Sequence, residues 1–318
     1  MATLKDVGER ALIDRIIGNI RGSPHLGPGD DAACIDVNGL KIVLCTDIVT
    51  FERHLAKGMT MEEFGWLAAA VNFSDIASMG ARPIGILAAV SLPPGTDEED
   101  LYDIMKGIDR CAGRCGADVL GGDTKSGQGA VCGTAVGVCE RRVLTRGGAR
   151  PGDLVAVTGG LGSAGAGWYA ALNGIDDEDA LRAVKLPMPR VTEGIALSKN
   201  DIATSCMDIS DGLSTTAAAI CRSSGVGMEI VWERLPKGKG VGNICKRLDI
   251  SERHIMLNCG GEYELMFTFP EERLDILRSS GVDASVIGKV TEGDRAELMI
   301  NGRREPMEDE GYEHFTKG

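Results

Sequence analysis

The chain has 318 residues, of which 43% are hydrophobic and 25% charged, and its formal net charge is −13. This length is enough for two ordinary domains with a core each, and the composition is typical of a globular protein. The excess of acid and the absence of a Lys/Arg cluster argue against nucleic-acid binding. No apolar run reaches ~18 residues, so no membrane span is predicted.

Ten cysteines are spread along the chain without a Cys-x-x-Cys pair. Most lie in apolar runs, for example Cys132 and Cys139, which favours reduced core residues over disulfides or a zinc site. The sequence begins with a polar, amphipathic helical pattern, so no signal peptide is predicted. These features together predict a cytoplasmic protein.

The first half alternates helical and strand-like patterns. A glycine-rich loop that ends in Asp30 and Asp31 precedes the first strand, and Asn38-Gly39 predicts a two-residue hairpin. A capping box at Thr60 begins a central helix of small and apolar residues. The other predicted elements are helices over 6–20 and 96–115 and strands over 32–37, 41–49, 84–92, 117–120 and 130–139.

The turn-rich segment 147–153 is the predicted linker, which divides the chain into domains of residues 1–148 and 149–318. The second half continues the alternation, with a connection rich in charge and proline after Asn173-Gly174 and a small-residue helix after Gly212. The other predicted elements are strands over 154–158, 204–207, 228–232, 265–269 and 284–290 and helices over 163–172 and 271–280. We therefore predict an α/β fold of two mixed α/β domains.

Acidic residues beside glycine or small residues recur at the ends of predicted strands. They are Asp30-Asp31, Thr46-Asp47, Gly122-Asp123-Thr124 and Asp208-Ile209-Ser210-Asp211, with Asp75 on the central helix. One such site alone is more often a turn or an N-cap. Mg²⁺ prefers oxygen ligands and bridges carboxylates to phosphates, and a charge at Asp75 in an apolar helix needs such a partner. The recurrence therefore predicts nucleotide phosphates held by metal ions.

Another motif suggests a different nucleotide site. Gly160-Leu161-Gly162-Ser163-Ala164-Gly165 follows a predicted strand and matches the Gly-x-Gly-x-x-Gly pattern of dinucleotide-binding domains. It lies in mid-chain and leaves the acidic residues without a role, so a tight turn is favoured over a Rossmann-type NAD oxidoreductase. The sequence contains no P-loop and no protein-kinase motif set.

With these residues, the chain resembles the thiamine-monophosphate kinase family of the aminoimidazole-ribonucleotide synthetase superfamily. The matching segments span nearly the whole chain in order and are Gly29-Asp30-Asp31-Ala32-Ala33, Thr46-Asp47, Val71 to Ala81, Gly121-Gly122-Asp123-Thr124, Arg146-x-Gly148-Ala149 and Asp208 to Leu213. The resemblance implies two domains of the superfamily type and a homodimer whose N-terminal domains form a shared sheet or barrel. It also implies ATP-dependent phosphorylation of thiamine phosphate by direct in-line transfer, assisted by several Mg²⁺ ions.

The resemblance also implies residue roles. The metal ligands would be Asp31, Thr46, Asp47, Asp75, Asp123, Asp208 and Asp211, among which Asp47, Asp75 and Asp211 are the candidate catalytic residues. Gly122, Asp123, Arg146 and Ser210 would contact ATP. His54, Glu262 and Tyr312 would contact the substrate.

Two departures fall on the substrate side of the match. Gly260-Gly261-Glu262-Tyr263-Glu264-Leu265 is one residue shorter than in the family, and Leu55 stands where the family usually has Phe. The alternatives are a superfamily enzyme with another small anionic acceptor and a non-catalytic nucleotide-binding protein. Selenophosphate synthetase and the hydrogenase maturation protein fit less well, because no cysteine precedes Cys34 and the chain lacks a terminal cysteine.

Overall fold

The structure is a computed structural model that describes residues 3–315. Residues 316–318 lie outside this range. The expectation about a terminal cysteine concerns these residues. The helices are α1 (Leu4–Val7), α2 (Glu9–Asn19), α3 (Phe51–His54), α4 (Met61–Ser78), α5 (Glu98–Arg114), α6 (Ser163–Asn173), α7 (Glu178–Lys185), α8 (Val191–Lys199), α9 (Leu213–Ser224), α10 (Val241–Leu248), α11 (Glu252–Asn258) and α12 (Leu274–Ser279). The strands are β1 (Ala33–Val37), β2 (Leu40–Thr50), β3 (Arg82–Leu92), β4 (Asp118–Ser126), β5 (Ala130–Cys139), β6 (Leu154–Thr158), β7 (Ser205–Asp208), β8 (Gly227–Val231), β9 (Leu265–Phe269), β10 (Ala284–Thr291), β11 (Ala296–Ile300) and β12 (Arg303–Pro306).

Two open sheets organise these elements, one in each half of the chain. The N-terminal sheet has the strand order β1-β2-β5-β3-β4, and only β3 and β4 pair in parallel. The C-terminal sheet has the order β12-β11-β8-β10-β6-β9-β7, and only β8 and β11 pair in parallel. The predicted mixed α/β class is confirmed. The domain boundary at residues 148 and 149 stays a prediction.

Helix α4 lies at the centre of the molecule. Its capping box is present, since the Glu63 N–H donates to Thr60 Oγ1 (3.1 Å) and the Thr60 N–H donates to Glu63 Oε2 (2.8 Å). The helix packs against β2, β3 and β5 on one side, and against α5, α8 and β7 on the others. It is therefore buried all round, from Phe64 to Ser78 apart from part of Asp75.

Glycines allow the neighbouring backbones to approach α4. A Cβ atom at Gly65 would lie 1.9 Å from the carbonyl oxygen of Ile104 in α5, and one at Gly107 would lie 1.9 Å from that of Glu62. A Cβ atom at Gly194 of α8 would lie 2.0 Å from the carbonyl oxygen of Ala77. These contacts are backbone to backbone, so no side chain can move aside to relieve them.

Several sequence expectations are wrong in detail in the first half. The predicted helix over 6–20 is broken at Gly8, where φ is +82°, and α2 contains no buried residue. Strand β4 does not end before Gly121 but runs through it to Ser126, because the parallel ladder with β3 continues to Leu92. Asp123 therefore lies within a strand and not after it, whereas Asp47 lies within β2, as the predicted strand over 41–49 already implied.

The second half contains elements that the sequence analysis did not predict. The connection after α6 contains α7, which Asp177 caps through the Ala180 N–H (3.1 Å), and α8. Strands β11 and β12 form a hairpin after the last predicted strand. All ten cysteines are free, as predicted. Within residues 3–315, no helix combines the length and apolar character that crossing a bilayer requires.

The glycine contacts between α4 and α5 lead to a stability prediction. Replacement of Gly65 by Ala should destabilise the protein by about 1–3 kcal/mol or more, because the new methyl group overlaps the Ile104 carbonyl. Chemical denaturation measures this change. Gly113→Ala in α5 is the matched control, since nothing lies within 4 Å of its Cβ position, and it should stabilise the protein by about 0.5–1 kcal/mol. Equal effects of the two substitutions would contradict this packing.

Candidate active site

Four carboxyl groups meet where the two halves of the chain touch. Asp31 precedes β1, Asp47 lies in β2, Asp75 in α4 and Asp208 at the end of β7. We call these four residues the acidic cluster. Burial, together with the neighbouring charges of the other three, raises the pKa of Asp75 well above its usual range. Burial and Asp31 also raise the pKa of Asp47 and of Asp208.

Polar side chains of α4 hold two members of the acidic cluster. Asn72 is fully buried, and its Oδ1 accepts a hydrogen bond from the Asp47 N–H (3.1 Å). Its Nδ2 donates to the Ala68 carbonyl (2.9 Å) within the same helix. The Ser74 hydroxyl donates to Asp208 Oδ2 (2.5 Å), which joins α4 to the C-terminal sheet. Asn72 therefore holds the backbone at Asp47, and Ser74 orients the carboxylate of Asp208 on the other side of the helix.

Arg146 is the cation that faces the cluster. Its Nε and Nη2 lie 2.8 Å and 2.6 Å from Asp31 Oδ1, and its backbone N–H donates to Asp30 Oδ1 (2.6 Å). The backbone N–H of Asp208 donates to Asp31 Oδ2 at 3.4 Å. The guanidinium for which an ATP contact was predicted is therefore paired with Asp31 in this structure. The ATP role of Arg146 stays a prediction.

Thr46 and Asp123 lie on the opposite face of the N-terminal sheet. Successive side chains of a strand point to opposite faces, so Thr46 points away from α4 when its neighbour Asp47 points towards it. The Thr46 hydroxyl donates to the Gly133 carbonyl (2.8 Å), and Asp123 pairs with Lys125 (3.4 Å). Within one chain, the structure therefore does not bring these two predicted ligands to the acidic cluster.

Gly122 is required by the strand in which it lies. A Cβ atom there would be 1.9 Å from the carbonyl oxygen of Ala88 in the paired strand β3. The structure therefore explains this glycine by strand pairing, and its predicted contact with ATP stays a prediction.

The donor set of the acidic cluster fits a hard divalent cation in type and in charge. It offers only carboxylate oxygens, which Mg²⁺ prefers, and it carries more negative charge than Arg146 can balance. In the present conformation, no three carboxylate, thiol or imidazole groups of residues 3–315 converge closely enough to form a finished metal site. The predicted metal roles stay predictions.

Asp211 and two predicted substrate residues lie in a second region, beside the cluster. Burial raises the pKa of Asp211 to about 6, and the nearby charge of Glu9 adds to this shift. The Asp211 carbonyl accepts a hydrogen bond from the Tyr312 N–H (3.0 Å). His54 Nδ1 accepts from the Thr50 N–H (3.1 Å), and burial lowers the His54 pKa, so this ring is neutral at physiological pH.

The third predicted substrate residue, Glu262, lies at the first turn of α6. The Ala164 N–H donates to its carboxylate (3.1 Å), and the backbone N–H groups of Gly162 and Gly165 lie nearby and favour the charged form. Burial raises the pKa of Glu262 to about 8. A carboxylate of the protein thus fills the position where a Gly-x-Gly-x-x-Gly loop would bind a pyrophosphate. The Rossmann alternative does not fit this geometry.

Tyr263 was not singled out from the sequence, yet it lies among the acidic residues. It is a non-glycine residue with φ +52°, and its N–H donates to the Ile209 carbonyl (3.0 Å). Burial and the charges of the nearby aspartates raise its pKa. Gly261 is fixed beside it by a hydrogen bond to the Ser210 carbonyl (2.7 Å). The shortened segment therefore carries an aromatic ring to the site, and no local sequence pattern indicates this.

Comparison with known families and proteins gives a consistent assignment. The AIR synthase related protein families match the chain in two parts, the N-terminal domain over residues 29–139 and the C-terminal domain over residues 150–301. Thiamine-monophosphate kinase of Methanopyrus kandleri is 34% identical over 301 residues, with 93% of each chain covered. The enzyme of the same name from Pyrococcus horikoshii is 35% identical over 292 residues, with 91% of each covered.

Solved structures agree with this result. The structure of "AaThiL complexed with AMPPCP and TMP" matches with a TM-score of 0.89 at 29% identity, and covers 99% of both chains. Thiamine monophosphate kinase from Aquifex aeolicus matches with a TM-score of 0.84 at 28% identity, over 96% of this chain and all of that one.

The acidic cluster leads to a pH-dependent stability prediction for Asp75→Asn. A raised pKa means that the stabilising contribution of Asp75 is present below pH ~4 and is lost as the pH rises. The metal-free variant should therefore match the wild type near pH 4 and have the larger free energy of unfolding at pH 8, by a margin that grows as the pH rises.

Denaturant unfolding with a chelator at several pH values measures this difference. Asp109→Asn, on the exposed side of α5, is the control and should follow the wild type throughout. A wild type that gains stability over Asp75→Asn as the pH rises would show that the cluster does not carry unfavourable charge.

Proposed function

The chain belongs to the thiamine-monophosphate kinase family, and we propose that it transfers the terminal phosphoryl group of ATP to thiamine phosphate, which gives thiamine diphosphate and ADP. The observation that carries the proposal is the acidic cluster, which both halves of the chain build together. The likeness to a structure whose name includes AMPPCP and TMP supports a site for a nucleotide and a thiamine phosphate.

Asp31, Asp47, Asp75 and Asp208 would hold the Mg²⁺ ions, with Asp211 beside them. Bound Mg²⁺ would offset the repulsion between the two anionic substrates and the charge that develops during transfer. The protein contributes the fixed positions of these oxygens. Asn72 fixes the backbone at Asp47 and Ser74 fixes the carboxylate of Asp208.

The proposed transfer needs no general base. The attacking atom is a phosphate oxygen of thiamine phosphate, and its second pKa of about 6 leaves it largely ionised at neutral pH. The site therefore has to orient the two substrates in line, as in other phosphoryl transfers. We assign Arg146, Ser210, Gly122 and Asp123 to ATP, and Asp47, Asp75 and Asp211 to the transfer itself.

The acceptor would lie beside Asp211, with its phosphate towards the acidic cluster. Thiamine carries a cationic ring, and aromatic faces bind such cations. His54 and Tyr312 supply rings on this side of the site. We assign Glu262 to the same substrate, in line with its place in the family motif.

A coupled assay tests the proposal. The wild type with ATP and Mg²⁺ should form thiamine diphosphate and ADP in equal amounts. Asp75→Asn and Asp211→Asn should each lower kcat by about 100-fold or more, because each removes a charge that acts on the transferred group.

Asp109→Asn is the matched control and should keep full turnover. ADP release with another small anionic acceptor, but not with thiamine phosphate, would contradict the proposed substrate. Near-normal turnover in Asp75→Asn at saturating Mg²⁺ would contradict the proposed role of the cluster.

We also propose that the chain works as a homodimer joined through the open face of the N-terminal sheet. This face carries Ile48 (59% exposed), Leu87 (42%) and Leu120 (53%), an apolar surface of the kind that a partner covers. A shallow depression on it is lined by Ile48, Asp123 and Cys132. A second copy would therefore also cover Thr46 and Asp123, the predicted ligands that lie away from the cluster.

Light scattering tests the dimer. The wild type should have the mass of two chains at micromolar concentration, and Ile48→Lys should shift it towards one chain because it places a charge in an apolar interface. Leu172→Lys is the control, since Leu172 is equally exposed (54%) but lies at the end of α6 in the other half. A monomeric wild type would contradict the dimer.

The proposed location is the cytoplasm. All ten cysteines are free, and most are buried among apolar residues. Free thiols in such number suit a reducing compartment.

A further inference from the structure

The C-terminal segment 307–315 passes directly over the turn that carries Asp211. A Cβ atom at Gly311 would lie 2.2 Å from the Asp211 carbonyl oxygen and 2.1 Å from Thr215 Oγ1. The Tyr312 N–H donates to the same Asp211 carbonyl at 3.0 Å. The segment is therefore seated on the proposed site, and its position decides where the Tyr312 ring lies.

Arg10 fastens this segment from the other end of the chain. Its guanidinium pairs with Asp309 Oδ1 (2.7 Å) and donates to Thr215 Oγ1 (3.1 Å) and to the Tyr312 carbonyl (3.4 Å). The side chains of Arg10 and Asp309 are 32% and 23% exposed. The preceding residue, Glu9, accepts a hydrogen bond from the His314 N–H (2.9 Å). We call these contacts of Glu9 and Arg10 with residues 309–314 the terminal clasp.

Two rings of the clasped segment, those of Tyr312 and His314, lie near the ring of His54. Tyr312 and His314 pack edge to face, with centroids 4.9 Å apart and an interplanar angle of 88°. The Tyr312 hydroxyl lies 3.3 Å from His314 Nδ1. The His314 ring lies 6.4 Å from that of His54, which belongs to α3 in the N-terminal half. Rings from the C-terminal segment and from the first half of the chain thus form one aromatic wall beside Asp211.

We propose that Arg10 is a positioning residue for the acceptor, because it holds Tyr312 and His314 in the aromatic wall that receives the cationic ring of the acceptor. This inference rests on the proposed function for the identity of the acceptor. Arg10 takes no part in phosphoryl transfer and contacts neither substrate. Its loss therefore weakens acceptor binding and leaves ATP binding and the transfer step in place.

Steady-state kinetics of three variants test this role. Arg10→Ala should raise the KM for thiamine phosphate about tenfold, with the KM for ATP and kcat changed by no more than about threefold. Arg10→Lys keeps the charge opposite Asp309 but cannot also reach Thr215 and the Tyr312 carbonyl, so its KM should lie between. Arg222→Ala is the matched control, because Arg222 pairs with the other oxygen of Asp309 (3.2 Å), and its KM should equal that of the wild type.

Amide hydrogen exchange gives a readout that needs no turnover. In Arg10→Ala, the Tyr312 amide should exchange faster than in the wild type, whereas in Arg222→Ala it should stay protected. If Arg10→Ala does not fold, an intermediate KM and faster Tyr312 exchange in Arg10→Lys support the role.

Two failures can be told apart. A wild type without turnover of thiamine phosphate contradicts the proposed function, and with it the acceptor named here. A wild type with turnover, together with an unchanged KM in Arg10→Ala or an equal rise in both KM values, contradicts the positioning role alone.

Discussion

The burial of several like charges beside one another is the constraint on which the rest of this structure depends. Burial and neighbouring carboxylates both disfavour the charged form of Asp75 and Asp208. The fold holds two members of the cluster through direct partners, since Ser74 donates to the Asp208 carboxylate and Arg146 pairs with Asp31. The charged carboxylates of the cluster therefore lower the stability of the metal-free protein, and such a loss of stability is typical of sites that bind a cation.

Helix α4 can hold polar groups at the site because protein covers its surface on all sides. It faces a sheet, two helices and the second half of the chain, so its side chains from Phe64 to Ser78 are buried apart from that of Asp75. Its close contacts use glycines, at Gly65 and in the partner helices at Gly107 and Gly194. Such contacts leave α4 no freedom to shift, and the polar atoms of Asn72 and Ser74 consequently lie at fixed points.

The sequence predicted part of the site because some of its residues are unusual in their local sequence context. Asp75 is a carboxylate in an apolar helix, and Asp31 and Asp208 lie beside glycine or a turn. The sequence did not predict that Thr46 and Asp123 lie on the sheet face opposite the acidic cluster, because the face on which a strand residue lies depends on strand register. The predicted strand over 117–120 ended before Gly121, whereas the ladder with β3 runs through this residue. Arg10 and Tyr263 have no local signal, since their partners are distant in sequence.

The hydrogen bond between Ser74 and Asp208 joins residues that are 134 positions apart, and the pair Arg146 and Asp31 spans 115. Contacts of such separation form late, because a long loop must close before they can stabilise anything. During synthesis, the ribosome releases Asp31, Asp47 and Asp75 well before Asp208 exists. The nascent N-terminal half therefore carries its carboxylates without the strand that completes the acidic cluster, which can assemble only after β7 (Ser205–Asp208) has been made.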